Sequence, residues 1–118
     1  MITCEWDKKV YDAAKKRFAE SGLSQWIDAR NESSLEMKVG GRIDMLFCDS
    51  DVPLREQEAR HFLPQISPYG LILMHDASST MKSVREGALR LEAEGLVSVL
   101  LLPTPRGLVL AQKREGRS

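Results

Sequence analysis

The chain has 118 residues and a mass of 13.3 kDa, enough for one core and not for two, since domains commonly run to about 100–150 residues. Seventeen Lys and Arg against seventeen Asp and Glu give a formal net charge of zero, which withholds the broad field that nucleic acid or an anionic membrane would need and points to a small or neutral partner. No apolar run approaches the roughly 18–20 residues of a membrane span, and Glu5 and Asp7 interrupt the apolar start, so neither a span nor a signal peptide is expected and the cytoplasm is the expected compartment.

The pattern predicts a strand over 2–6, followed by a helix that Asp7 caps, that carries Val10, Ala13, Ala14 and Phe18 on its apolar stripe, and that Gly22 stops. A weaker strand is expected over 23–29. Polar residues 31–34 read as a turn, with a short helical patch around Leu35 and Met37 that Gly40 and Gly41 end. Residues 43–48 form the strongest predicted strand, apolar almost throughout as a strand covered on both faces should be. Pro53 suits the first turn of a helix with Leu54, Ala59, Phe62, Leu63 and Ile66 as its buried stripe. Residues 67–70 (SPYG) turn the chain into a strand at 71–74, and Met81, Val84, Ala88 and Leu91 mark a helix that Gly95 closes. Two last strands, 97–102 and 108–112, are joined by so short a link that they must form an antiparallel hairpin. Cys4 and Cys48 fall inside strands without C-x-x-C spacing and read as buried free thiols, and the basic tail 113–118 reads as a solvated fray.

Three of the apolar stretches, MITCE, RIDMLFCD and GLILMHD, end in an acid: Glu5, Asp49 and Asp76. Strands separated by helices make a parallel α/β sheet, whose ligands sit beyond the carboxyl ends of the strands, so these three acids are placed for ligand contact or chemistry along one sheet edge. The expected fold is α/β, a Rossmann-like, mostly parallel sheet with helices on both faces and a C-terminal antiparallel hairpin, in one domain.

The segments MITCEWD, RIDMLFCDSD and FLPQISPYGLILMHDAS resemble the class I S-adenosylmethionine (SAM)-dependent methyltransferases from their second strand onward, and within them the O-methyltransferase branch of catechol and caffeoyl-CoA type. The resemblance implies SAM as cofactor and a small hydroxylated molecule as methyl acceptor, while the balanced charge leaves no nucleic-acid or membrane partner expected. The resemblance places Glu5 on the cofactor's ribose hydroxyls, a role that suits a carboxylate because its two oxygens accept in parallel. Trp6 falls where it would cover the adenosine, or is ordinary core. Asn31, Glu32 and Ser33 fall where a polar side chain meets the adenine amino group, or are a capped polar loop. Asp49 falls between methyl donor and acceptor.

In metal-dependent members the acids matching Asp49 and Asp76, with an Asn directly after the second, bind a magnesium-type ion that lowers the pKa of the acceptor hydroxyl. Here the third position is Ala77, which has no ligand atom on its side chain, so Ser78, Asp51 or water would have to replace it. Without metal, His75 is the candidate general base, with a hydrogen-bonded structural role as the alternative.

The family also cradles the methionine end of SAM in a glycine-rich loop after its first strand, and the eight glycines of this chain are dispersed instead. The sequence therefore reads as a form that starts at the second strand, is expected to bind SAM poorly by itself, and leaves two strand edges to be covered by each other, by a second copy of the chain in a homo-oligomer, or by an upstream segment. A Rossmann-like binding or scaffold module without turnover is the alternative reading, and a phosphoacceptor receiver domain a more distant one.

Overall fold

The structure, a computed structural model, describes residues 1–77 and 82–114. The expectations for Ser78, for Met81 and for the tail beyond Arg114 lie outside the described residues. The chain forms two compact units, Met1–Val39 and Gly40–Ser118, with one sheet in each.

The first unit is a single βαβ crossover. Strand β1 (Ile2–Cys4) leads into helix α1 (Lys8–Glu20), which returns the chain to β2 (Asp28–Arg30), paired parallel to β1. Asp7 caps α1 as expected, its Oδ1 accepting from the amides of Lys9 at 2.9 Å and Val10 at 3.4 Å. Gly22 ends the helix at φ +72°, a conformation that costs glycine nothing. The amides of Gly22 and Leu23 reach back to the carbonyls of Ala19 and Phe18, the paired bonds of a Schellman stop.

That stop explains why the strand expected over 23–29 is shorter. The Leu23 amide is spent on the cap and its carbonyl accepts from Trp26, so Ser24–Trp26 winds into a 3₁₀ turn and only Asp28–Arg30 is free to pair. The helical patch around Leu35 likewise shrinks to one turn, in which Glu36 and Met37 both donate to the Ser33 carbonyl. Cys4 is half-buried, whereas Cys48 is buried as expected.

In the second unit, β3 (Ile43–Cys48) is followed by α2 (Arg55–Phe62), β4 (Ile66–His75), α3 (Lys82–Ala93), β5 (Val97–Leu102) and β6 (Leu108–Lys113). The strand order is β3-β4-β6-β5, with β3 and β4 parallel and β6 antiparallel to both neighbours, so three of the four strands run in one direction. The hairpin falls where its short link requires.

Ile66 is the first residue of β4, not the last of the α2 stripe. Residues 67–70 do not leave the sheet; they form a bulge, because Ile43 pairs with Ile66 while Met45 pairs with Leu71. Tyr69 takes φ +62° there, and a Cβ on Gly70 would stand 2.6 Å from Ile66 Cγ2 and 2.8 Å from the Ser67 carbonyl oxygen. Only glycine fits so close an approach.

Helices α2 and α3 lie side by side on one face of this sheet. Ala59, Val84, Ala88 and Leu91 pack against Ile72, Met74, Val97, Val109 and Ala111, all buried. Outside this core, Glu56 Oε1 accepts from Arg90 at 2.5 Å, and Arg60 spans Glu56 at 2.9 Å and Glu94 at 2.5 Å, which ties the two helices together. Lys113, expected in a solvated tail, is buried as the last residue of β6. Its Nζ donates to the carbonyls of Leu63 at 2.9 Å and Ile66 at 2.8 Å, satisfying backbone acceptors at the α2-to-β4 junction.

On the opposite sheet face the register sets Phe47, Leu73, Leu110 and Leu100 in one row across the strands. Phe47 and Leu100 are more than half exposed, as is Met45 beside them. Among the described residues no helix is long and apolar enough to cross a membrane.

Candidate active site

In the second unit, adjacent parallel strands bring two of the strand-end acids to one edge. The pairing of Cys48 with Met74 sets the next residues, Asp49 and His75, opposite each other as the chain leaves β3 and β4, and Asp76 follows at once. His75 Nδ1 lies 3.5 Å from Asp49 Oδ1 and 3.6 Å from Asp76 Oδ1. One ligand atom from each of the three residues falls within 4.8 Å of the others. Asp49 is exposed, His75 half-buried and Asp76 buried. Asp76 takes φ +58°, a left-handed conformation that Asp tolerates better than most residues and that recurs at functional sites.

The cluster contains two arginines that the sequence reading did not single out. Arg55, 4% exposed in the first turn of α2, donates from Nε and Nη2 to the Ser50 carbonyl at 2.9 and 2.7 Å, and from Nη1 to the His75 carbonyl and to Asp76 Oδ2, the latter at 3.3 Å. Its Nη2 also stands 3.6 Å from Asp49 Oδ1. Arg106, in the loop between β5 and β6, donates from Nε to Asp76 Oδ1 at 2.5 Å. The Arg106 guanidinium, with Arg55 adding to it, holds the Asp76 carboxyl below its ordinary range, and Asp76 in turn raises Arg106.

A sequence signal for Arg55 existed: a cation in the first turn faces the positive end of its own helix, so it implies an acidic tertiary partner. Arg106 sits in a Pro-Thr-Pro-Arg-Gly turn and gave none.

Behind the site, Ser50 Oγ donates to Glu58 Oε1 at 2.5 Å, and the Cys48 thiol is pushed up to about 12 by burial, which keeps it protonated and unreactive. Asp51 is exposed and opens the 3₁₀ turn Val52–Leu54 without a side-chain cap.

A divalent ion between Asp49 and Asp76 does not fit this donor set. Both Asp76 oxygens already accept from guanidinium groups, and the Ala77 amide is bonded to the Gly107 carbonyl at 3.1 Å.

In the first unit, Glu5 follows β1 and Asn31 follows β2 at the same end of their sheet. Asn31 Nδ2 donates to the carbonyls of Glu5 at 2.8 Å and Trp6 at 3.1 Å, which braces the two strand ends. Glu5 Oε1 accepts from the Asp7 amide at 3.1 Å, and Trp6 is 71% exposed. Glu32 lies 3.9 Å from Arg30, and Ser33 Oγ accepts from the Leu35 amide at 3.3 Å. Glu5, Trp6 and Asn31 therefore meet, while Glu32 and Ser33 serve their own loop. A small cavity under α1, lined by Cys4, Glu5, Tyr11 and Phe18 among others, also lies in this unit.

No family model and no curated protein matches the sequence. Solved structures do. An O-methyltransferase from Bacillus cereus in complex with SAH superposes with a TM-score of 0.82 at 19% identity, over 96% of this chain and 62% of that one. The two share a fold over that overlap. The O-methyltransferase TomG from Streptomyces achromogenes, solved with SAM, matches at TM-score 0.81 and 18% identity, covering 96% of this chain and 61% of its own. A SAM-dependent O-methyltransferase from Thermotoga maritima matches at 0.76 and 12% identity, covering 99% of this chain and 51% of its own. The chain thus spans less than two thirds of each of these O-methyltransferases, and at such identities the likeness is one of fold.

Proposed function

We propose that the chain carries the ribose-side and acid–base elements of a SAM-dependent O-methyltransferase acting on a small hydroxylated molecule. The observation that carries this reading is the convergence of Asp49, His75 and Asp76 at the ends of two parallel strands, in a fold shared with O-methyltransferases solved with SAM or SAH.

SAM, when bound, supplies an electrophilic methyl group. Glu5 accepts from the ribose hydroxyls, using acceptor sites beyond the one spent on Asp7. Trp6 offers an exposed ring to the adenosine. Asn31 has both amide hydrogens committed to backbone carbonyls, which leaves Oδ1 as the end that accepts from the adenine amino group. Glu32 and Ser33 contribute by holding that loop. Asp49 orients the acceptor, and His75 takes the acceptor's hydroxyl proton, with Asp49 and Asp76 close enough to steady the imidazolium that forms.

The second reading, a binding module without turnover, draws on the dispersed glycines and on the arginines that already occupy the acids. Transfer of labelled methyl from SAM to a panel of catechols and other hydroxylated acceptors separates the two. Residues 1–118 alone should be inactive, since misplacing the donor by even ~1 Å can cost about a hundredfold in rate. With a glycine-loop segment ahead of residue 1 in the same polypeptide, turnover should appear, and His75→Ala should lower it by about 10²–10⁴. Continued inactivity of that longer protein would favour the binding module.

A further inference from the structure

The charges around Asp49 and Asp76 are already balanced, and by groups that cannot be neutralised. Arg106 takes one oxygen of Asp76 and Arg55 the other, while Arg55 also approaches Asp49. Arg55 is no loose surface side chain. Its guanidinium is bonded to the carbonyls of Ser50 and His75, so it joins the ends of β3 and β4 from inside. Guanidinium stays charged at any accessible pH. A divalent ion ligated by Asp49, His75 and Asp76 would have to displace Arg106 and stand beside Arg55, which has nowhere to go.

We propose that Arg55 and Arg106 are the resident cations of this site, and that the chain does not take a divalent metal there. Arg55 is a positioning residue: it fixes both strand ends and the Asp76 carboxylate through the donors of one planar group. Arg106 is the removable member, because it reaches in from an exposed loop with its side chain 68% exposed. The Ala77 position agrees, as its side chain offers no third ligand. The proposal stands on the carboxylate geometry and not on methyl transfer, so it can fail while the methyltransferase reading survives, and the reverse.

Titration of Mn²⁺ into the 118-residue chain, followed by water-proton relaxation, tests it without SAM or turnover. Wild type should show no binding attributable to the site up to about 1 mM, the weak limit for carboxylate cation sites, and Asp76→Asn should be indistinguishable from it. Arg106→Ala should gain at least about tenfold in Mn²⁺ affinity, since it uncovers Asp76 Oδ1. That variant loses no buried side chain, and an unchanged far-ultraviolet circular dichroism spectrum would verify its fold. Wild-type binding that Asp76→Asn abolishes would overturn the proposal. So would a folded Arg106→Ala that binds no better than wild type.

Discussion

Asp76 shows at the scale of one residue how position and partner set chemistry. Its left-handed backbone and its two guanidinium partners hold the carboxylate beside His75 and keep it ionised. Arg106 lowers its pKa from an ordinary value near 3.8, and Arg90 lowers that of Glu56 from near 4.5. Because the folded values are the lower ones, the stabilisation is complete above the ordinary values and is lost as pH falls through the lowered ones. Thermal midpoints should therefore be flat from about pH 7 to 5 and drop below about pH 4. Glu56→Gln should lower the neutral plateau and make the acid limb shallower; an acid limb as steep as that of wild type would show that Glu56 is not held by Arg90 and Arg60 in solution.

The same scale shows what the sequence could and could not reveal. The meeting of Asp49 and Asp76 at one sheet edge was legible because each closes an apolar stretch. The way in which Asp76 is occupied was not, because Arg55 and Arg106 lie 21 and 30 residues from it in the chain and only the sheet brings them there.

Among the elements, those with a local stop signal came out within a residue or two: α1 between Asp7 and Gly22, β3, and the final hairpin. Misreadings arose where long-range pairing overrode local chemistry. Ser-Pro-Tyr-Gly has the composition of a turn, yet β3 pairs with both sides of it and makes it a bulge. Lys113 looks like tail, yet two carbonyls fifty and forty-seven residues away bury it.

Both features predict sensitivity to substitution. Gly70→Ala should destabilise the second unit by about 1–3 kcal/mol in urea denaturation, the cost of overpacking a tight site. Lys113→Met keeps the aliphatic volume but strands two carbonyls and should cost about 1–3 kcal/mol. A change below about 0.5 kcal/mol in either, the level of ordinary surface substitutions, would mean that the bulge or the junction relaxes freely.

At the scale of the molecule, the charge balance and the alternating order of strands and helices with its final antiparallel hairpin were legible, and the grouping of the strands into two sheets was not. Sequence patterning predicts strands, but which of them pair is decided by long-range contacts. In this chain β1 and β3 belong to different sheets. The row Phe47, Leu73, Leu110 and Leu100, with β3 at the sheet edge, exposes apolar surface of the kind that drives association. Purified residues 1–118 should self-associate in sedimentation velocity, and Phe47→Lys should shift the distribution toward monomer. A wild-type chain that stays monomeric at millimolar concentration would contradict this.

Titrating SAM into the ¹⁵N-labelled chain and following its amide resonances, which locates even weak binding, asks whether the carboxyl ends of β1 and β2 receive the cofactor. Millimolar, saturable shifts are expected at Glu5, Trp6 and Asn31, with Glu5→Ala weakening the binding by about 1.5–3 kcal/mol, as expected for hydrogen bonds to a charged group. Shifts confined to other residues, or a dissociation constant unchanged by Glu5→Ala, would contradict this reading.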